Sequence, residues 1–303
     1  MGLFDRIFGK KSDQPQQSAT DQHAAPPATS EPAEQKPLSL QILYDQLPAF
    51  DPIALTERLR AYDPCMSDGT VESSPEGESQ GTPFGRIAWG QHIVDFVAFT
   101  APMPPAVVEQ VVHPAHYPEA VKQKARAHTA HVLLYYAGDA DPYEGYIALA
   151  GAAGVLSDGA IVVANEAACT SLPAEVFALS DSGDRLEILR SLPLPLIFIG
   201  MVKYIPSQGS RIWMRTHGAN LLGLPDLAYW ASGHQEGNST MELYDSTLGY
   251  LLKSKAQVAP GHTLQVGNER FIKFRAPVAS DPPGAPGERL LVVENIRRNQ
   301  LNR

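Results

Sequence analysis

The sequence predicts an α+β protein: two consecutive ferredoxin-like βαββαβ halves packed together, preceded by a disordered tether and a short N-terminal amphipathic helix. Three observations carry this reading. Apolar spacing changes in the order strand, helix, strand, strand, helix, strand, and that order recurs in the second part of the chain. A long early stretch holds no large apolar residue, so burial cannot offset the entropy of ordering it. The remainder is rich enough in apolar residues, 44% over the whole chain, to build an ordinary buried core.

Residues 1–11 read MGLFDRIFGKK. Leu3, Phe4, Ile7 and Phe8 fall on one helical face, with Asp5, Arg6, Lys10 and Lys11 on the other. Such a peg is suited to a membrane surface or a groove on a partner protein. Gly2 suggests myristoylation, but Arg6 stands where that motif needs Ser or Thr. Residues 12–37 form the linker, rich in Gln, Ala, Pro, Ser and Thr.

The first half is expected over 38–138. Residues 40–44 read as a strand. Asp51-Pro52 is an N-cap with proline at the first helical position, opening a helix with Leu55 and Leu59 inward. Residues 67–82 read as a surface loop. Residues 86–89 and 93–99 form a hairpin turning at Gly90-Gln91, Pro118 opens a helix to His128, and 131–136 is a strand. Residues 139–158 are a connecting helix opened by Asp141-Pro142, with small residues that let it approach a sheet closely.

The second half is expected over 159–303, with strands at 160–164 and 196–204 around one or two helices within 173–190. Further strands fall at 211–216, 227–230, 264–266 and 271–274. Ser239-Thr240-Met241-Glu242 reads as a capping box. The helix it opens carries Leu243, Tyr244, Thr247, Leu248, Leu251 and Leu252 on one stripe. A further loose stretch covers 277–287.

Composition excludes several classes. With a formal net charge of −9, the chain has no electrostatic pull toward nucleic acid. Its two cysteines, Cys65 and Cys169, make neither a disulfide framework nor a zinc ribbon, and fit reduced thiols in a cytoplasm. No stretch reaches the roughly 18 apolar residues of a membrane span. Asp5 and Arg6 interrupt any signal-peptide core. The expected location is cytoplasmic, peripheral to the inner face of the membrane if the peg meets lipid.

His113, His116, His128 and His131 form two His-x-x-His pairs, the residue type and spacing from which a metal site can begin. Pro114 breaks the first pair and a helix end divides the second. The alternative roles are a helix C-terminal contact for His128 and a hydrogen-bonded strand position for His131. Gly138-Asp139-Ala140-Asp141 starts like a calcium loop but has Glu144 and Ala150 where glycine and glutamate are required. No phosphate loop or nucleophile elbow is present. Arg215, Thr216 and His217 end an apolar strand, and Asp226 follows; together they could hold an anionic ligand or a partner's carboxylate, or form a structural turn with an Arg215–Asp226 ion pair. No residue is assigned a catalytic role and no cofactor is expected.

Four segments together resemble a known family: Thr216 to Gly218, Leu222-Gly223-Leu224-Pro225-Asp226, Gly249-Tyr250-Leu251-Leu252 and Gly261-His262-Thr263-Leu264. They are similar to the C-terminal module of a bacterial domain-of-unknown-function family, numbered forty-two sixty-one. His128 to Val132 and Gly154-Val155-Leu156 resemble its upstream region. Family members carry glutamate and further acidic residues where this chain has Asp226-Leu227-Ala228-Tyr229. The resemblance implies no activity, cofactor or catalytic residue.

The expected function is therefore a non-enzymatic binding or scaffold module, tethered by residues 1–11 to a membrane surface or protein assembly. The alternatives are a ligand- or metal-binding protein or enzyme with a pocket between the halves, and an accessory or immunity-type protein of a secretion or toxin locus. The oligomeric state is left open.

Overall fold

The computed structural model describes residues 37–73, 83–179, 183–206, 211–267, 270–282 and 289–300. The expected anchor helix and all of the tether but Pro37 lie outside these residues.

The chain enters as β1 (Ser39–Tyr44), buried from Leu40 onward. In α1 (Pro52–Tyr62) the Asp51 carboxylate accepts the Ile53 N–H and Pro52 fills the first helical position, as read from the sequence. Then come β2 (Thr70–Ser73), β3 (Phe84–Trp89) and β4 (His92–Phe99). The β3–β4 hairpin closes Trp89 on His92, with Gly90 in the left-handed region. Two helices follow, α2 (Pro105–Val112) and α3 (Glu119–Arg126), then β5 (Ala130–Tyr136).

Next is α4 (Pro142–Val155), capped by Asp141, which accepts the Tyr143 and Glu144 N–H groups. A hairpin of β6 (Ala160–Asn165) and β7 (Thr170–Pro173) leads to the short helices α5 (Glu175–Ala178), α6 (Arg185–Ser191) and α7 (Leu194–Ile197). The remaining elements are β8 (Gly200–Tyr204), β9 (Ile212–His217), β10 (Asp226–Ala231), α8 (Gly237–Ser254), β11 (Thr263–Val266), β12 (Arg270–Arg275) and β13 (Leu290–Ile296). The described residues belong to one compact unit, Lys36–Arg303.

The strands form two sheets. One has seven strands in the order β2-β3-β4-β5-β1-β6-β7, every neighbouring pair antiparallel. The other has six, β11-β12-β13-β10-β9-β8, with β10 and β13 parallel and the rest antiparallel.

The α+β class is as expected, but the ferredoxin-like arrangement is corrected. That arrangement places the first and third strands of a unit side by side and parallel. Here β5 lies between β4 and β1, pairing Phe96 with Leu134 and Ile42 with Val132. Element order alone does not say which strand edges pair. For the same reason β6 and β7, read as the opening of a second half at 159, extend the first sheet beside β1.

Smaller corrections share local causes. Val71, read as part of a loop, is buried in β2. The 196–204 strand is shorter: 194–197 are helical and β8 begins at Gly200. The capping-box serine lies inside α8, its hydroxyl donating to the Glu236 carbonyl.

Helix α4 holds the core together. Every residue from Gly145 to Val155 is buried, and a helix apolar all round must be covered on all sides. It packs on β1, β4 and β5 and against α1, α5 and α6. At Gly154 the Tyr62 hydroxyl donates to the Phe177 carbonyl at 2.5 Å, where any side chain would intrude. The opposite face of the first sheet presents Leu43, Val162 and Ala164 to Val108, Val111 and Val112 of α2 and Ala125 of α3. On the second sheet, Leu243, Leu248 and Leu251 of α8 cover Leu227, Ile272 and Phe274.

The sheets meet at the β6–β7 turn. Asn165 accepts the Ala168 N–H at 3.2 Å and donates toward the Ile197 carbonyl at 3.4 Å. Ala168 lies so close to Gly200 that a Cβ there would overlap its carbonyl oxygen. Among the described residues no helix is long and apolar enough to cross a membrane.

Candidate functional site

The polar cluster at the end of β9 is mostly interior. The Thr216 hydroxyl donates to Asp226 Oδ1 at 2.8 Å and accepts the Leu227 N–H at 2.8 Å. Ala219 N–H also donates to Asp226 Oδ1, at 3.3 Å. Thr216 and Asp226 are 0% and 1% exposed, so this carboxylate closes the β9–β10 connection from within. Arg215 is buried too, its Nε donating to the Thr216 carbonyl at 3.3 Å. Strand alternation sends its side chain to the opposite face from Thr216. Of the four, His217 lines a cleft, its Nε2 lying 2.8 Å from the Tyr204 hydroxyl.

The four histidines are placed separately, two on backbone carbonyls and two at a cleft. His128 is buried with both ring nitrogens engaged: Nδ1 donates to the Ala125 carbonyl at 2.7 Å and Nε2 accepts the Met103 N–H at 2.8 Å. That is a helix C-terminal role, and burial holds its pKa below the usual histidine value. His131 donates to the Ala101 carbonyl at 2.8 Å and stacks on Phe99. Burial lowers its pKa as well. Among the described residues no three His, Cys, Asp or Glu side chains are placed to hold a metal ion.

His113 and His116 border a cleft of 810 Å³ between α2 and β8. Its helical wall is Ala106, Glu109, Gln110 and His113, spaced i, i+3, i+4 and i+7 on one face. Its other wall is five consecutive residues, Met201, Val202, Lys203, Tyr204 and Ile205. Consecutive strand residues point to opposite faces of a sheet, so a cleft that touches all five runs along the edge of the strand. β8 is the outer strand of its sheet, pairing with β9 on one side. Tyr204 and Ile205 are exposed large hydrophobics.

The electrostatics of the cleft are uneven. Glu109 is its one lining carboxylate and is held by Arg126 at 2.8 and 3.1 Å, which keeps its pKa below the usual range. Burial first, then Lys203 and Lys122, lower the pKa of His116. His217, His234 and Lys203 complete the basic lining. Cys169 sits at the base in the left-handed region, its sulfur accepting from Gln110 at 3.0 Å. Burial raises its pKa, so the thiol stays protonated near neutral pH.

A second cleft, of 650 Å³, is bordered by Arg58, Tyr62 and Arg185. Its arginines are committed: Arg58 to the Val155 carbonyl and Asp158, Arg185 to the carbonyls of Leu179, Ala61 and Tyr62.

Lys203 and Tyr204 escaped the sequence reading because 196–204 read as one apolar strand, and His234 because it falls between the strand expected at 227–230 and the capping box at Ser239. The available signal was a lysine in a short strand, a common mark of a sheet edge.

No curated protein and no solved structure matches the chain. Residues 215–288 match the family described as Domain of unknown function (DUF4261). The matched segment runs from Arg215 through β10, α8, β11 and β12 to the approach of β13. Over this segment, about a quarter of the chain, the protein is similar to that domain-of-unknown-function family.

Proposed function

We propose that this chain is a binding module whose partner site is the groove along the outer edge of β8, facing α2. The observation that carries the reading is the run Met201 to Ile205 lining one wall while one face of α2 lines the other. An edge strand opposite a helix face is the geometry in which an extended peptide joins a sheet: backbone hydrogen bonds supply affinity and flanking side chains supply selectivity. The protonated Cys169 thiol and the interior placement of Thr216 and Asp226 favour binding over catalysis.

The test is a library of displayed linear peptides panned against the full chain, with hydrogen exchange mapped in the complexes. Binders that slow exchange across residues 200–205 support the reading. Binders that protect other segments only, or a library that yields none, refute it.

We further propose that Leu3, Phe4, Ile7 and Phe8 tether this module to a membrane surface or assembly. Deleting residues 1–11 is expected to relocalise the protein while leaving its melting temperature unchanged. Unaltered localisation and unaltered partners after the deletion would count against tethering.

A further inference from the structure

We infer that the occupant of the β8 groove is an acidic extended segment, one of whose carboxylates is received by Lys203 at the N-terminus of α8. This rests on the groove reading above and adds the chemistry of the partner. Lys203 is partly buried, and among the described residues it takes part in no hydrogen bond or ion pair. Its ammonium lies 2.6 Å from where a Cβ on Gly237 would stand, which places it at the first residue of α8. The N-cap residue of that helix, Glu236, makes no side-chain capping hydrogen bond.

A helix N-terminus carries partial positive charge, although here the first amide is taken, Gly237 N–H donating to the His234 carbonyl. The Lys203 ammonium beside it is therefore a second positive group at this end of the helix. A partly buried cation is stabilised when it finds a counter-ion, and a carboxylate at this point would meet both the ammonium and the helix end.

The rest of the groove does not oppose this sign. His113, His116, His217 and His234 line it, and its one carboxylate, Glu109, is already neutralised by Arg126. A basic partner would meet Lys203 with like charge. A neutral one would leave the ammonium unpaired. Exposed Ile205 beside Tyr204 suits apolar residues alternating with the acids, as one strand face requires.

The probes are fluorescein-labelled Val-Asp-Val-Glu-Val-Asp-Val, its isostere with Asn and Gln in place of the acids, and its counterpart with Lys at those positions. Each is titrated by anisotropy against the full chain. The acidic peptide is expected to bind about tenfold tighter than the amide isostere, the scale of one charge-assisted hydrogen bond. The Lys peptide is expected to bind weakest. Lys203→Met should bring the acid-to-amide ratio close to one without weakening the amide peptide, while Lys203→Arg should keep the preference. Gly237→Ala, which puts a methyl 2.6 Å from the ammonium and displaces it, should reduce it.

Equal binding of acidic and amide peptides, both protecting 200–205 from exchange, would overturn the acidic occupant and leave the groove standing. So would an acid preference that survives Lys203→Met. Protection of 200–205 by none of the three peptides would remove the groove together with this inference.

Discussion

Replacing Thr216 by valine removes one hydroxyl and leaves the shape of the side chain nearly unchanged. In the folded chain that hydroxyl makes two hydrogen bonds of 2.8 Å, one to the Asp226 carboxylate and one from the Leu227 N–H. Both Thr216 and Asp226 are sealed from solvent, so water cannot replace what is lost. A hydrogen bond to a charged acceptor contributes about 1.5–3 kcal/mol, and a buried N–H left unsatisfied costs about 1–3 kcal/mol. Burying a methyl in place of the hydroxyl returns less than about 1 kcal/mol. The expected loss is about 3 kcal/mol.

At about 2.1 cal/mol/K per residue, a unit of some 270 residues has an unfolding entropy near 0.56 kcal/mol/K. The variant should therefore melt about 5 °C lower in scanning calorimetry. Thr216→Ser keeps both hydrogen bonds and sheds one methyl, so it should lose only about 1 kcal/mol. A valine variant melting within a degree of the parent, or a serine variant as unstable as valine, would refute the assignment of Thr216 and Asp226 to an interior structural network.

Gly200→Ala should cost about 3 kcal/mol in urea denaturation, because a Cβ there meets the backbone oxygen of Ala168, which side-chain rotation cannot move. Stability should fall on acidification below about pH 6.5. His92, His116, His128 and His131 have folded pKa values lowered by burial, so the unfolded chain binds the extra protons there; stability is present above the unfolded value and lost below it. His128→Gln should flatten part of that slope, and an unchanged slope would remove His128 from the account. At Asp281, burial pushes the pKa up, but Arg275, the Val278 N–H and the Trp230 indole outweigh it and hold it at about 2. Its contribution should persist above the ordinary carboxylate pKa and vanish as pH falls toward 2, and Asp281→Asn should abolish that acid-limb loss.

Much of the local structure was legible because it depends on neighbouring residues. Asp51-Pro52 and Asp141-Pro142 announced α1 and α4 by satisfying free amides at a helix start. The Gly90 turn and the alternating residues around it marked the β3–β4 hairpin. His128 was readable as a helix-terminus contact for the same reason, since its partner Ala125 is three residues away.

What escaped depends on partners distant in the chain. β2 and β7 have four residues each, too few for alternation to register, and they are strands because β3 and β6 pair with them. β13 pairs parallel with β10, about 64 positions earlier, across an excursion through α8 and two strands. The candidate site was missed on the same ground. Lys203 reads as one lysine in an apolar run until Gly237, far along the chain, is placed beside it.

The amino-acid sequence by itself determined the α+β class, most element types and several helix starts, because spacing, capping and turn residues act within a few positions. Only the tertiary structure decided that β5 inserts between β4 and β1, that β6 and β7 join the first sheet, and that β8 is left as an edge facing α2. The physical reason is that every strand offers two hydrogen-bonding edges, and which neighbour takes each edge is settled by global packing rather than by local sequence.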